Sequence, residues 1–153
     1  ALEQRLAIPL GFQDFERARH VYDGDLTKSR HPAYHMHFST RDMARIGLLM
    51  LNDGRWEGRQ IVPEAWVKES TALLTPRAEL NPERSRNGAF GYGYLWWVFD
   101  GVDQPKAYDG GFAALGAGGQ RIVVLPALNL VVAHKTVRDG GRNVNSTEFL
   151  DVL

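Results

Sequence analysis

Three histidines, His31, His35 and His37, are the residues whose type and spacing first suggest chemistry. His35 and His37 lie two positions apart, so on a strand they would share a face and could hold a metal ion together. Their immediate neighbours include neither a carboxylate nor a cysteine, and loop histidines are more often hydrogen-bonded surface groups. We therefore expect no metal and no other cofactor. A place in the lining of a substrate cleft of a complete enzyme is favoured over a metal site for these histidines.

An aromatic-rich segment is the second chemical signal, with Tyr92, Tyr94, Trp96 and Trp97 inside a predicted strand at residues 90–99. Alternate residues of a strand share a face, so these rings could form one wall of a substrate site. Packing in the core is the favoured interpretation. The glycines of residues 116–119 lack the following helix and Lys-Ser/Thr pair of a phosphate-binding loop, which indicates a turn into a strand.

Composition restricts the class of protein. The 153 residues fit a single domain, 1–153, and are 44% apolar and 24% charged, which is typical of a globular chain. No apolar run approaches the ~20 residues needed to cross a bilayer, so we expect a soluble protein with no membrane partner. Eighteen basic and eighteen acidic residues cancel and form no block, so nucleic acid is not an expected partner. The absence of cysteine leaves the redox compartment, and hence the localisation, undetermined.

Helices are predicted in the first half of the chain. Residues 1–10 have the pattern of a helix end that stops near Pro9 and Gly11. Residues 13–37 indicate a long surface loop that can include a short strand. Ser39 is the N-cap of the clearest helix, which Gly54 ends.

The same helix carries further local signals. Asp42 lies three residues after Ser39 as a variant capping box, and Phe38 and Met43 have the spacing of a hydrophobic staple. The apolar run 46–51 predicts a helix that is buried nearly all round, with Gly47 allowing close packing.

Strands dominate the second half of the predicted fold. A second helix is expected at 64–74, with Pro63 as its first helical residue, followed by the strand at 90–99. Residues 122–125 and 130–133 predict an antiparallel hairpin in the middle of a sheet. Ser146 can cap a last helix at 147–153. This order predicts an α+β fold in which helices cover an antiparallel sheet.

Three stretches of the sequence carry a resemblance to a known family. They are residues 9–14 (PLGFQD), 39–47 (STRDMARIG) and 116–120 (GAGGQ), the last of which leads into Leu125-Pro126. Together they resemble the serine β-lactamase-like superfamily. Residues 54–63 and 91–97 resemble later segments of the same family, so the likeness covers residues 2–137. The family includes class C β-lactamases, penicillin-binding proteins, esterases and amide hydrolases. The resemblance implies a partial β-lactamase-like, or transpeptidase-like, fold.

The nucleophile expected from this resemblance is missing. Family members use the serine of Ser-x-x-Lys, assisted by its lysine and a Tyr-x-Asn motif. None of the five serines or five tyrosines of this chain has that spacing. Both motifs precede the Pro-Leu-Gly segment in the family, so we expect the chain to begin downstream of them, to contain no catalytic residue and to be inactive alone.

The family's third motif, Lys-Thr-Gly or His-Thr-Gly on the strand before the Gly-rich turn, supplies a cation for a substrate carboxylate. The resemblance places it near Asp109, Gly110 and Gly111, and we expect these residues, with Tyr94, to contact substrate. An acidic residue cannot replace that cation, so ester or amide hydrolysis is favoured over cleavage of penicillin-like acids. A tight turn without chemistry is an equally weighted alternative. Lys135-Thr136 follows the last core strand and is assigned no role.

Two functional hypotheses follow. The first is the C-terminal portion of a serine hydrolase, whose partner is a missing N-terminal catalytic portion. The second is a truncated, non-catalytic binding or self-assembling module, with a homodimer formed through an exposed sheet edge. A remnant left by proteolysis of a longer enzyme is a third possibility, which an intact mass would test.

Overall fold

The computed structural model describes residues 1–101, 103–136 and 146–150. The chain starts with a π-helical turn, Glu3–Ala7, and leaves it through Gly11, whose φ of 62° is left-handed. A 3-10 turn, Arg17–Arg19, follows. The strands β1 (Val21–Asp23) and β2 (Ala33–His35) then pair as an antiparallel hairpin with Tyr22 opposite Tyr34. The predicted helix end is confirmed, and the predicted long surface loop contains a small exposed hairpin of two strands where one short strand was expected.

Helix α1 (Thr40–Leu51) begins where the sequence predicted. The Ser39 hydroxyl accepts a hydrogen bond from the Asp42 backbone N–H at 3.1 Å, which confirms Ser39 as the N-cap. The second half of the predicted capping box is wrong, because the fully buried Asp42 carboxylate accepts instead from the backbone N–H groups of Gln13 and Asp14. Asp42 therefore attaches the start of α1 to the preceding segment.

Gly47 sets the distance between α1 and the sheet. A Cβ atom at this position would lie 2.4 Å from Val131 Cγ1 and 2.9 Å from Ile122 Cγ2, so the predicted close packing is confirmed. Burial all round the helix is wrong, because Leu48 remains 39% exposed on the outer face. The helix ends at Leu51, and Gly54, with φ 78°, provides the predicted left-handed stop.

Helix α2 (Glu64–Ser70) follows a two-stranded hairpin of β3 (Arg55–Trp56) and β4 (Arg59–Gln60). Pro63 is its N-cap rather than its first helical residue, and the helix stops at Ser70, four residues short of the predicted end. The chain leaves the helix because the Leu74 and Thr75 N–H groups donate to the Tyr92 carbonyl. Strand pairing thus takes over residues that the local pattern assigned to a helix.

The aromatic segment forms two strands, β5 (Phe90–Tyr92) and β6 (Trp97–Phe99), rather than the single strand predicted. They pair antiparallel with Tyr92 opposite Trp97. The reversal takes place over four residues, where the Gly93 N–H donates to the Trp96 carbonyl and Leu95 has a left-handed φ of 64°. Leucine rarely adopts this conformation, so the turn could not be predicted from its residue types.

Strands β7 (Phe112–Gly116), β8 (Gln120–Leu125) and β9 (Leu130–His134) complete a five-stranded antiparallel sheet of order β5-β6-β7-β8-β9. The predicted β8–β9 hairpin is confirmed, with Leu125 opposite Leu130. Asn129 closes it with φ 50°. In the described part of the chain β8 is an inner strand, whereas β9 is the outer strand and not central as predicted.

The two faces of the sheet are covered by different helices. Ile122 and Val124 of β8 belong to a core cluster with Met43 and Met50 of α1, and Val67 of α2 joins the same cluster. On the opposite face, Val123 and Leu125 pack with Phe149 of α3 (Ser146–Leu150). The predicted α+β fold, an antiparallel sheet covered by helices, is therefore confirmed.

Two predictions fall outside the described part of the chain. They are the cap by the Ser146 side chain and the extension of the last helix through residues 151–153. Among the described residues, no helix has the length and apolar character needed to cross a membrane.

Candidate functional site

The segment Tyr108–Asp109–Gly110–Gly111 forms a type II turn. The Gly111 N–H donates to the Tyr108 carbonyl at 2.8 Å, Asp109 has φ −60° and ψ 127°, and Gly110 has φ 68°. The side chain of Asp109 is exposed at this turn. The geometry agrees with the tight-turn alternative, and it also leaves the Asp109 carboxylate free to meet a ligand.

Gly111 has a packing role at the start of β7. It is buried, and a Cβ atom there would lie 2.8 Å from the Tyr108 carbonyl oxygen and 2.9 Å from Phe99 Cδ2. Its carbonyl accepts the Phe99 N–H at 3.0 Å, which extends the β6–β7 pairing by one residue. Sterics alone therefore require glycine at this position.

The strand that leads into the Gly-rich turn is β7, and Asp109 precedes it. The strand runs over Phe112–Gly116, and the turn continues through Gly118 and Gly119, both with left-handed φ. Asp109 thus lies in the turn before the strand and not on the strand, where the resemblance expected the third motif. A contact between Asp109 and substrate stays a prediction.

Tyr94 lies in the β5–β6 turn, away from Asp109. Its ring stacks on Trp66 of α2, with centroids 5.8 Å apart and planes at 13°, and its N–H donates to the Ser70 carbonyl. Gly111 and Asp109 lie beyond the Phe99 end of β6, whereas Tyr94 precedes the Trp97 end. The structure does not bring Tyr94 and the Asp109 turn together, and the role of Tyr94 in binding also stays a prediction.

The other aromatic residues of this segment are part of the core. Trp96 packs edge-on against Phe112 at 5.1 Å, and Trp97 packs against Tyr92 at 4.8 Å. The favoured interpretation of core packing is confirmed for these rings. The single aromatic wall does not form, because the chain reverses between Tyr92 and Trp97.

A cleft of about 680 Å³ between the N-terminal segment and the end of β9 was not predicted. Charged residues of both signs contribute to its lining, which consists of Asp14, Glu16, Ala18, Arg19, Val21, His37, Phe38, Ser39 and Lys135. Lys135 was assigned no role from the sequence, yet its Nζ donates to the Phe38 carbonyl at 2.7 Å across 97 residues of chain. No local signal could have found this pairing.

The cleft is close to electrical balance. Arg41 Nε lies 3.5 Å from an Asp14 carboxylate oxygen, and Arg19 Nε lies 3.5 Å from one of Glu16. These exposed pairs contribute little to stability, at most about 1 kcal/mol each. They do satisfy the charges of both acidic residues at the cleft.

The three predicted histidines separate in the structure. His37 lines the cleft, His35 Nε2 lies 3.8 Å from a carboxylate oxygen of Asp23, and His31 Nε2 accepts from Arg30 Nε at 3.2 Å. In the described ranges, no group of three or more histidine, cysteine, aspartate or glutamate residues is arranged to hold a metal ion. Of the expected cleft histidines, only His37 lies at the cleft described above.

A fourth histidine, His20, was not singled out from the sequence and is buried in this region. It is 9% exposed, and neither ring nitrogen has a hydrogen-bond partner among the residues that the structure describes. Its ring stacks on Phe15 at 4.5 Å. Burial lowers the pKa of His20 below the ordinary 6.5, and the charge of His37 lowers it further.

Comparison with known proteins now identifies the class. The sequence model of the family described as Beta-lactamase matches residues 3–149, so the chain belongs to the serine β-lactamase-like superfamily and has a partial β-lactamase-like fold.

Two proteins that are similar to this chain are longer than it. An uncharacterized protein of Alkalihalophilus pseudofirmus is 34% identical over 107 residues, which are 65% of this chain and 29% of that protein. The solved structure of a putative 6-aminohexanoate-dimer hydrolase from Bacillus anthracis is 26% identical, with a TM-score of 0.56. That match covers 86% of this chain and 32% of the other. The chain spans about a third of the length of each.

Proposed function

We propose that this chain is the C-terminal portion of a β-lactamase-like serine hydrolase that cleaves ester or amide bonds, and that it has no turnover by itself. One observation carries the proposal: the chain matches the family over residues 3–149, yet its 153 residues contain neither Ser-x-x-Lys nor Tyr-x-Asn. The family chemistry needs a serine hydroxyl that loses its proton to a neighbouring base while it attacks a carbonyl. We propose that another portion supplies that serine.

Ser39 is the serine that most needs to be excluded as a nucleophile, because it lines the same cleft as Lys135. Its hydroxyl oxygen already accepts the Asp42 N–H, and its place before α1 is explained by helix capping. Within the part of the chain that the structure describes, its hydroxyl makes no hydrogen bond to a general base. We therefore assign Ser39 a structural role.

The substrate class rests on two indications. The acidic Asp109 argues against a bound carboxylate at the turn before β7, because like charges repel. The name of the Bacillus anthracis neighbour gives a 6-aminohexanoate dimer as the substrate of that protein. The first indication disfavours a substrate carboxylate at this turn, and the second favours an amide as the bond that is cleaved. We propose the Asp109–Gly111 turn and Tyr94 as two separate substrate contacts of the complete enzyme.

A hydrolysis assay on the chain tests the absence of turnover. We expect no cleavage of nitrocefin, a p-nitrophenyl ester or a p-nitroanilide above buffer, and no mass increase after incubation with a fluorophosphonate. The Ser39→Ala variant is the matched control, because Ser39 is the only serine among the described residues that line the cleft. Turnover that the phosphonate abolishes would overturn the proposal, and its loss in the Ser39→Ala variant would identify the nucleophile.

The outer edge of β9 supports a partner. In the described part of the chain β9 pairs only with β8, and Leu130 at its start is exposed. Unpaired strand edges accept another strand readily. We propose that this edge pairs with the portion that carries the nucleophile.

The rival function, a self-assembling module without catalysis, uses the same edge to form a homodimer. Size-exclusion chromatography with light scattering separates the two. A monomer at all concentrations removes support from the dimer, and a stable dimer favours the rival.

A further inference from the structure

His20 is a buried polar residue that no part of the proposed hydrolase chemistry uses. Its side chain is 9% exposed, and both ring nitrogens lie without a hydrogen-bond partner among the described residues. Buried polar groups in folded proteins are nearly always hydrogen-bonded, so each exception needs a physical explanation. A neutral imidazole tolerates this position better than a charged one, because desolvation penalises the charged form.

The ring is held by aromatic neighbours from three parts of the fold. Phe15 stacks on it at 4.5 Å, Tyr34 of β2 at 6.2 Å, and Phe38, just before α1, lies tilted at 5.6 Å. Phe12 also contacts Phe15 at 6.5 Å and Phe38 at 5.5 Å, but among the described rings His20 is the one that contacts Tyr34 as well. His20 therefore joins the first segment and the β1–β2 hairpin to the entry of α1 through ring packing.

Among the described residues, no carboxylate is free to stabilise a positive charge on His20. On its own segment, Glu16 pairs with Arg19 at 3.5 Å, and Asp14 pairs with Arg41 at 3.5 Å. Arg17 pairs with Glu3 at 3.8 Å. The neighbouring carboxylates are thus already engaged with arginine side chains.

The other titratable groups around the ring do not help either. Tyr34 presents its ring face, and His35, beside it on β2, points to Asp23 at 3.8 Å. His37 lies edge-on with its ring centroid 6.5 Å away and disfavours a second positive charge. Both burial and His37 hold the pKa of His20 below the ordinary value of 6.5.

His20 also forms the back of the cleft wall. Its chain neighbours Arg19 and Val21 line the cleft, as do His37 and Phe38, whose rings lie against it. A displacement of His20 would therefore move two sides of the cleft at once.

We propose that His20 is an acid-sensitive latch: its neutral ring closes the β1–β2 hairpin onto the entry of α1, and its protonation releases the hairpin and opens the cleft. In the open form His20 meets water and regains its ordinary pKa of 6.5, which is higher than its pKa in the closed form. At a pH between these two pKa values, the open form therefore binds more protons than the closed form. The hairpin is therefore fully closed onto the entry of α1 above pH 6.5. It opens as the pH falls from 6.5 through the lower pKa of His20 in the closed form.

Hydrogen exchange of the 153-residue chain, followed by mass spectrometry, tests the latch. Peptides that cover residues 20–35 are compared at about pH 7.5 and about pH 5.5, on either side of the ordinary histidine pKa, after correction for intrinsic exchange. We expect the opening constant of the hairpin to rise by up to about tenfold per pH unit below 6.5, with β8 unchanged. The His20→Phe variant keeps the ring packing and should show no such rise.

Two further variants complete the test. His35→Asn removes an exposed histidine of the same hairpin and should behave as the parent. His37→Asn removes the charge that disfavours protonation of His20 in the closed form, so the pKa of the closed form moves toward 6.5 and acid opening should be smaller than in the parent. If His20→Phe fails to fold, this smaller acid opening still decides the matter. Equal acid opening in the parent and in His20→Phe, or an acid opening in His37→Asn as large as in the parent, would overturn the latch.

Discussion

The carboxylate of Asp42 accepts a hydrogen bond from the Gln13 backbone N–H at 3.1 Å, across 29 residues of chain. It also accepts from the Asp14 N–H at 3.3 Å and from Arg45 Nη1 at 3.2 Å, and it is fully buried. Two stretches that carried the family resemblance, residues 9–14 and 39–47, are therefore joined by one side chain. This joint holds the segment that leads to the cleft against the start of α1.

Replacing Asp42 should destabilise the whole N-terminal half. Asp42→Ala leaves two backbone donors and Arg45 without their acceptor, and we expect a loss of about 3 kcal/mol in the free energy of unfolding. Urea unfolding followed by circular dichroism measures it. The exposed carboxylate variant Glu79→Gln is the control, and we expect it within about 0.5 kcal/mol of the parent. If Asp42→Ala changed the free energy of unfolding as little as Glu79→Gln does, Asp42 would not hold these two segments together.

The cap of α1 should respond to the presence of the Ser39 hydroxyl. Ser39→Ala removes the acceptor for the Asp42 N–H and should cost about 1 kcal/mol in thermal or urea unfolding. Ser39→Thr keeps a hydroxyl and should retain at least half of that stability. Equal losses in the two variants would show that the hydroxyl does not cap the helix.

Gly47 should tolerate no larger residue. Alanine favours a helix by about 0.5–1 kcal/mol over glycine, but its Cβ would overlap Val131 and Ile122, and overpacking costs about 1–3 kcal/mol. We expect Gly47→Ala to lose about 1 kcal/mol net. Gly88→Ala is the matched control, since its nearest neighbour would lie at an ordinary 3.5 Å. A more stable Gly47→Ala would mean that α1 can move away from the sheet.

Gly93→Ala should be more damaging than Gly47→Ala. Its Cβ would lie 2.4 Å from the Ser70 carbonyl oxygen and 2.7 Å from that of Ala72, and backbone atoms cannot rotate away. We expect a loss of about 3 kcal/mol. The near-ultraviolet circular dichroism should also change, because the Tyr94 ring would move from Trp66. An unchanged spectrum would show that the β5–β6 turn does not depend on this close approach.

Local sequence signals predicted the elements whose ends and pairings depend on neighbouring residues. Ser39 caps α1 through a bond that spans three positions, and Gly54 ends it with a left-handed φ. The β8–β9 hairpin needs only the four residues between its strands. In these cases the deciding interactions lie within a few positions of the residues that signal them.

Elements whose ends depend on distant contacts were predicted wrongly. Helix α2 stops at Ser70 because Leu74 and Thr75 bond to Tyr92, and the aromatic segment reverses at Leu95. His20 and Lys135 acquire their surroundings only when the N-terminal segment folds against α1 and β9. Nothing beside these residues in the chain indicates those partners.

The sequence by itself determined the family, the α+β class, the cap and stop of α1, and the lack of a Ser-x-x-Lys nucleophile among these residues. These properties reside in residue types and short spacings. The tertiary structure decided that Asp42 binds Gln13, that Tyr94 and Asp109 lie at opposite ends of β6, and that His20 is buried beside a cleft. Each depends on atoms brought together by packing across many residues, and local propensity carries no information on such distances.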